Sequence, residues 1–316
     1  MTTLITKRHP IKFYLVLVFA FLFLCGLGTL LMFVGIDLLQ KEQHATKDYL
    51  SPVFSFLFYF LAVSMVYIYW KMSPIITIDK HTIVFGTQTF YLKNIKDVRL
   101  TGKMPFRYYF MTFPMEGTAI TFNDGTEILL FDDMYSNSWE IKSFLEQTVI
   151  NKQEYKPKLI ESVVRNVPYR DEDVFKGNQF TSLRGISLWG VIGFFIIMLF
   201  SKGNPPIALF VFLGVFSTFW FILSSWMMHY FVVTNDFLII KNHNFLWMTK
   251  IYPLSEVKEI VYETQEKQPN SMRVITKDFK NKLYRAGTLR DSTWLDMKKE
   301  LERNKIKVRN ECIFED

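Results

Sequence analysis

Four long stretches of this chain carry no charged side chain, and they come in two pairs, each followed by a more polar region. The stretches are Phe13–Ile36, Tyr49–Trp70, Gly185–Ser201 and Gly203–Met228. A helix needs about 20 apolar residues to cross the hydrocarbon core of a bilayer, and about 17 is the lower limit. Buried helices of globular proteins nearly always keep a polar face, and Leu15–Leu24 has none. The sequence therefore predicts four membrane spans in two hairpins, against the alternative of buried core helices.

The regions that follow the two hairpins match one another residue by residue. Ile76–Phe85 aligns with Phe231–Ile240 at an offset of 155, and Phe90–Val98 aligns with Tyr252–Ile260 at an offset of 162. The offset then returns to 155, and changes in loop length that cancel are expected of two copies of one fold. Chance similarity between amphipathic segments is the alternative. The predicted copies run from about residue 13 to 151 and from 185 onward.

Within each copy, the polar region has the pattern of several antiparallel strands followed by one helix. Asn123-Asp124-Gly125-Thr126 lies between two apolar runs, which is typical of a tight hairpin. Ser136 or Asn137 is expected to cap the first helix, and Asp291 the second. The side chains expected on the buried sides of these helices are Trp139, Ile141, Phe144 and Leu145 in the first copy, and Trp294, Met297 and Leu301 in the second.

Together these segments resemble the bacterial pleckstrin-homology-like (PH-like) membrane proteins of the YdbT-like group. The residues that carry the resemblance are Ile76–Phe85, Tyr91–Val98 and Ala119–Phe144, with their counterparts Phe231–Ile240, Tyr252–Ile260 and Val274–Leu301. The resemblance implies a bent antiparallel β-sheet or barrel capped by a C-terminal helix. It also implies an accessory or scaffolding role in the cell envelope rather than a defined activity. The expected fold class is an α+β membrane protein with two such repeats.

The expected domain organisation follows from these boundaries. It comprises an N-terminus (1–12), a first transmembrane hairpin (13–73), a first PH-like domain (74–151), a linker (152–184), a second hairpin (185–229), a second PH-like domain (230–310) and a tail (311–316). The linker carries apolar residues at helical spacing, Leu159, Ile160, Val163, Val164 and Val167. They predict an amphipathic helix that lies on the membrane surface or, as the favoured alternative, packs one module on the other.

Positive side chains predict the orientation of the spans. Lysine and arginine flank the side of the hairpins that holds both termini and both polar regions, including Lys7, Arg8, Lys12, Lys71 and Lys241. The opposite side holds Lys41, Lys47 and Lys202. The positive-inside rule then predicts a multi-pass protein of the inner (cytoplasmic) membrane with both termini cytoplasmic. The first apolar stretch is too long for a typical signal peptide and no cleavage site follows it, so a retained anchor is expected.

The chain offers little that is typical of catalysis. It has no glycine-rich phosphate loop, nucleophile elbow, paired-cysteine motif or zinc-protease motif. Cys25 and Cys312 do not suggest a disulfide, and the five histidines are scattered. Asp132-Asp133 is an acidic pair that binds a cation or, as the favoured alternative, lies in a solvated loop. We therefore expect a protein that is not an enzyme and that uses no cofactor or metal.

Two groups of residues are candidates for contact with a lipid or a partner. The first, in an aromatic insert at Lys103–Phe113, comprises Lys103, Arg107, Tyr108 and Tyr109. Such a mixture favours the headgroup region of a bilayer, and the alternative is a hairpin whose rings fill the sheet core. The second comprises Lys280, Lys282 and Arg285. These cations suit anionic lipid, and the alternative is a solvated edge strand.

The function expected from the sequence is that of a non-enzymatic membrane adaptor or scaffold. Its expected partners are membrane lipids and a membrane protein or further copies of the chain, with no nucleic acid. A subunit of a transport or channel assembly is the alternative, although transport sites usually place charges within the spans. A membrane enzyme is a third possibility, and it would need a polar cluster near the interface that the sequence does not provide.

Overall fold

The chain folds into two compact units, residues 1–158 and 159–316. The computed structural model describes residues 3–41, 46–109, 111–157, 169–170, 173–201, 203, 206–265 and 268–314. Apolar helices combine with sheets that are antiparallel apart from one parallel strand pair near the C-terminus, which confirms the α+β class. The helix expected at 159–167 and the turn at Lys202 lie outside the described residues.

The first unit begins with a hairpin of two apolar helices. Helix α1 (Val16–Leu39) follows one wide helical turn at Pro10–Leu15, and α2 (Leu50–Met72) runs back beside it. Large apolar side chains face outward, as expected of a lipid-facing surface. The two helices approach closely at Gly35, where an added Cβ would lie 2.5 Å from Cδ of Pro52. Close packing through small residues is typical of helices in membranes.

Within the part of the chain that the structure describes, three helical segments are long and apolar enough to cross a membrane, judged by length and composition alone. They are Pro10–Leu39, Leu50–Met72 and Leu183–Ser201. The fourth predicted span coincides with a shorter apolar helical segment, Leu209–Ser225. Membrane association is thus consistent with the structure, and the count of four spans stays a prediction.

Two antiparallel sheets follow the first hairpin. The first sheet contains, in spatial order, β1 (Leu4–Ile5), β2 (Ile76–Ile78), β3 (Thr82–Phe85) and β4 (Gln88–Tyr91). The second contains β5 (Ile95–Arg99), β6 (Lys103–Tyr108), β7 (Met111–Phe122) and β8 (Glu127–Phe131). The second half of β7 pairs with β5 and β8, and its first half pairs with β6 alone. The predicted turn joins β7 to β8, with Gly125 at a φ of 86°. Helix α3 (Ser138–Leu145) closes the unit.

The short strand β1 precedes the helical hairpin, yet it belongs to the sheet that follows the hairpin. Ile5 pairs with Thr77, and the backbone N–H of Ile76 donates to Oγ1 of Thr6 at 2.8 Å. Asn137 lies at the cap position of α3 as expected. Its side chain makes no capping hydrogen bond and instead bonds to the N-terminal segment. Its Oδ1 accepts from the N–H of Lys7 at 2.7 Å, and its Nδ2 donates to the carbonyl of Ile5 at 2.9 Å. The sequence pattern gave no sign of this strand.

The second unit contains its own helical hairpin and two sheets. The helices are α4 (Leu183–Ser201) and α5 (Ile207–Ser225). The first sheet contains β9 (Val174–Phe175), β10 (His229–Val233), β11 (Phe237–Asn242) and β12 (Thr249–Pro253), ordered β12-β11-β10-β9. The second contains β13 (Val257–Glu263), β14 (Ser271–Thr276), β15 (Asn281–Arg285) and β16 (Lys307–Asn310), ordered β15-β14-β13-β16. Helix α6 (Asp291–Arg303) lies between β15 and β16 in the chain.

The helices that follow the sheets bury the side chains expected from their spacing. Trp294, Met297 and Leu301 of α6 are fully buried in the core of the second unit. In α3, Ile141, Phe144 and Leu145 are buried, whereas Trp139 is only half-buried. Among the described strands the sheets stay open, with β4, β12, β15 and β16 at edges, and no closed barrel forms.

Candidate membrane-proximal contact site

The aromatic insert forms a β-hairpin with two different faces. Strands β6 and β7 pair from Lys103 opposite Glu116 to Tyr108 opposite Met111. Because directly opposed residues lie on the same face of an antiparallel pair, the hairpin sorts its side chains into two sets. The apolar face carries Met104, Phe106, Tyr108, Met111, Phe113 and Met115, and the other carries Lys103, Pro105, Arg107, Thr112, Pro114 and Glu116.

The base of the apolar face is buried against helix α2. The ring centroid of Phe106 lies 5.1 Å from that of Tyr69 in the last turn of α2, and 5.4 Å from that of Phe131 in β8. Towards the turn the same face opens, and Met111 is 41% exposed. At its base the insert is thus a hairpin whose rings fill the core, and at its tip it is an exposed loop.

The four candidate residues of the insert separate into two places. Lys103 lies at the base, with Nζ 3.9 Å from Oε2 of the buried Glu116. Arg107, Tyr108 and Tyr109 lie at the tip, where Arg107 is exposed and the two tyrosine rings are 5.2 Å apart, edge to face. Tyr109 begins the turn, with a positive φ of 52°. The tip therefore carries the Arg107 cation and the tyrosine pair, whereas Lys103 contributes to the fold at the base.

Two charged residues hold the N-terminal segment in place, Arg8 against the end of α2 and Lys12 against the residues that follow β8. The Arg8 guanidinium lies 3.9 Å from the ring centroid of Trp70, and its Nε donates to the carbonyl of Ser73 at 2.9 Å. Nζ of Lys12 lies 2.6 Å from Oδ1 of Asp133. The sequence identified Arg8 and Lys12 as flanking charges but gave no sign of these partners, which lie more than 60 residues away.

The acidic pair that follows β8 does not form a solvated loop. Asp132 and Lys142 form an ion pair at 2.6 Å, and each side chain is only 1% exposed. Its neighbour Asp133 is the partner of Lys12. Both carboxylates are therefore matched to lysines, and the pair joins α3 and the N-terminal segment to the end of the sheet.

The basic residues of the second unit do not gather into one patch. Lys280 precedes the edge strand β15, and its Nζ lies 2.9 Å from Oδ2 of Asp278. Within the strand, alternation places Lys282 and Arg285 on opposite faces. Nζ of Lys282 lies 5.5 Å from the ring centroid of Tyr284, and Nη2 of Arg285 donates to Oε1 of Gln265 at 3.3 Å. This arrangement matches the edge-strand alternative more closely than a continuous lipid-binding surface.

The second unit contains a buried histidine, His229, and a half-buried one, His243. Nδ1 of His229 lies 2.9 Å from the carbonyl of Arg285, and Nε2 of His243 lies 3.3 Å from Oγ1 of Thr288. Burial lowers the pKa of both rings, that of His243 to about 4, so both are uncharged near neutral pH. Within the described part of the chain, no three His, Cys, Asp or Glu side chains gather as metal ligands.

No family model and no curated protein matches this chain. The resemblance to PH-like membrane proteins thus stays a prediction, and the functional argument rests on geometry. That geometry joins a sheet to both ends of a helical hairpin and leaves an amphipathic β-hairpin beside the helix end.

Proposed function

We propose that this protein is a non-enzymatic integral membrane adaptor. Four spans would hold two PH-like domains at the cytoplasmic surface of the inner membrane, where they bind a protein partner, anionic lipid or both. One observation carries the proposal. In each unit, a short strand that precedes the helical hairpin pairs with the first strand that follows it, as β1 pairs with β2 and β9 pairs with β10.

The order of elements supports a duplicated unit. Both units share the order strand, two apolar helices, three strands, one short 3₁₀ turn, a further strand, a strand hairpin and a helix. They differ in β6, which is additional in the first unit, and in β16, which follows the helix of the second. The 3₁₀ turns, Leu92–Asn94 and Leu254–Glu256, fall at the same place in the two series. Two sheets and a helix in each unit also suit a PH-like fold, although the sheets remain open and β16 pairs with β13 in parallel. The proposed repeat begins upstream of each hairpin, at the short strand, rather than at residues 13 and 185.

The strand pairing explains how a soluble unit is held at a membrane surface. A domain tethered by one flexible linker can tilt and move away, whereas a sheet joined to both ends of a hairpin cannot. Arg8, Lys12 and Asn137 add the contacts that fix the first unit to its helices. A binding surface held in this way meets membrane targets at a high effective concentration, so weak contacts suffice.

The transport alternative finds less support in the first helical hairpin. Its polar side chains bond within the hairpin, as Oγ of Ser55 donates to the carbonyl of Gly28 at 2.7 Å and Oγ1 of Thr29 lies 2.9 Å from the Tyr59 hydroxyl. Such bonds join packed helices. A transported ion needs polar groups that are directed at an open path instead.

The proposed orientation predicts opposite labelling of two cysteines. In a chain with Cys25 and Cys312 replaced by alanine, Lys282→Cys and Lys202→Cys are each treated with a maleimide that cannot cross membranes. We expect Lys282→Cys to react in inverted vesicles and Lys202→Cys to react in intact cells. The measurement is the labelled fraction on each side. The reverse pattern would place the soluble units outside the cytoplasm and would contradict the proposal.

The adaptor and transport proposals differ in what accompanies the purified protein. Extraction of the full chain from its native membrane under mild conditions is expected to retain another protein in stoichiometric amount. The mass of the complex and the identity of its components provide the measurement. A ring of identical chains that conducts ions after reconstitution into liposomes would instead establish the transport alternative.

A further inference from the structure

We infer that the apolar face of the β6–β7 hairpin inserts into the interfacial layer of the bilayer beside α2, as a second, non-helical membrane contact. The residues that would enter the layer are Tyr108, Met111 and Phe113. This inference rests on the proposed function, because it requires α2 to span the membrane. It goes further by naming the occupant of the exposed tip and the side chains that meet it.

Continuity with the membrane helix identifies the bilayer as the occupant. Phe106 packs on Tyr69, and Tyr69 lies one turn before α2 ends at Met72. The helix end of a spanning segment lies at the membrane interface. The apolar face of the hairpin therefore starts at interface depth. Exposure on this face rises from 2% at Phe106 to 41% at Met111, so the uncovered part continues directly from the covered part.

The composition of the tip suits an interface rather than water. Tyrosine concentrates at the level of the lipid headgroups, where its ring can lie among acyl chains and its hydroxyl can reach water. Phenylalanine is typical of the apolar face of segments that lie in this layer. Arg107 lies on the opposite face from Tyr108 and Met111. Its long side chain can reach lipid phosphates while the apolar face is inserted. The tip thus presents apolar groups on one side and a cation on the other.

Two prolines make the edges of this hairpin compatible with a poorly hydrated layer. Pro105 lies directly opposite Pro114. Because proline has no N–H, this pair occupies a position without cross-strand hydrogen bonds, where an N–H would point outward from the ribbon. An unpaired donor is costly to place in a bilayer, and these two positions carry none. The same prolines obstruct strand addition by another chain, which argues against a β-pairing partner here.

Neighbouring residues on opposite faces permit a matched test. In the full chain with Cys25 and Cys312 replaced by alanine, an environment-sensitive fluorophore is attached to Met111→Cys or Thr112→Cys. Both side chains are exposed, so neither change removes a core contact. The protein is reconstituted in liposomes that contain phospholipids spin-labelled near the headgroup. We expect several-fold stronger quenching at position 111 than at 112, and the reverse order with iodide in the aqueous phase.

Two results would overturn the inference. One is equal lipid quenching at both positions, and the other is a fluorophore at 111 that is shielded from lipid and iodide alike, which indicates a protein contact. A fluorophore at Val63→Cys on α2 separates this failure from failure of the proposed function. Val63 is 62% exposed and should be quenched by lipids labelled deep in the acyl chain. Quenching at position 63 without quenching at position 111 would contradict the membrane contact of the hairpin and would remain consistent with the adaptor proposal.

Discussion

Replacing Lys142 with methionine is expected to lower the free energy of unfolding of the first unit by about 3–5 kcal/mol. Nζ of Lys142 lies 2.6 Å from Oδ2 of Asp132, and both side chains are 1% exposed. The substitution removes the ammonium group and leaves the carboxylate of Asp132 buried beside an apolar side chain. Urea titration of the full chain in detergent, followed by brief proteolysis at each concentration, measures the loss.

Two further variants show whether the buried charge is the cause. The double variant Lys142→Met with Asp132→Leu should recover most of the lost stability, because replacing both members of a buried pair with apolar groups is often nearly neutral. Lys80→Met breaks the pair with Glu154, whose side chains are 60% and 76% exposed. An exposed pair contributes about 0–1 kcal/mol, so this control should change little. A loss at Lys142 no larger than that at Lys80 would contradict the prediction.

This ion pair also marks a limit of inference from the sequence. The turn at Asn123–Thr126 and the apolar helices were predicted correctly because their signals are local, in an Asp-Gly pair and in long uncharged runs. Asp132 and Lys142 lie in different elements, and only the packing of α3 against the end of β8 brings them together. Composition alone made the acidic pair look like a solvated loop.

The strand pairing across each helical hairpin also depends on contacts between distant parts of the chain, so the sequence pattern did not show it. Strands β1 and β9 contain two residues each, so they are too short to show the period of a strand. Their partners lie beyond an entire helical hairpin. No short sequence segment contains both a strand and its partner, so a local sequence pattern cannot reveal the pairing. These pairings are nevertheless what fix each soluble unit to its helices in the proposed adaptor.

The candidate contact site was predicted in part from the sequence. Its mixture of cations and aromatic rings located the insert correctly, and the sequence left open whether those rings fill a core or face a membrane. The answer depends on register, because the pairing of Lys103 with Glu116 assigns every later side chain to one face or the other. The base of the hairpin is core and its tip is exposed, so the core interpretation describes the base, and contact of the tip with a membrane stays a proposal.

Truncation of Trp294 to alanine is expected to destabilise the second unit by about 3–5 kcal/mol, the usual cost of deleting a buried tryptophan. Its side chain is fully buried. The ring centroid lies 4.7 Å from that of Tyr262 and 5.5 Å from that of Phe231. The change opens a cavity between α6 and both sheets of the unit. Urea titration of the full chain, read through proteolysis of the second unit, measures the effect.

The proposed repeat supplies a matched control. Trp139 occupies the corresponding place in α3, but it is only half-buried, so Trp139→Ala should cost clearly less in the first unit. Trp294→Phe should fall between wild type and Trp294→Ala, because it keeps part of the ring contact with Tyr262. Equal losses for the two alanine variants would show that burial does not distinguish the two helices. The unequal result would mean that two copies of one architecture depend on their closing helix to different degrees, with the second unit built around its tryptophan.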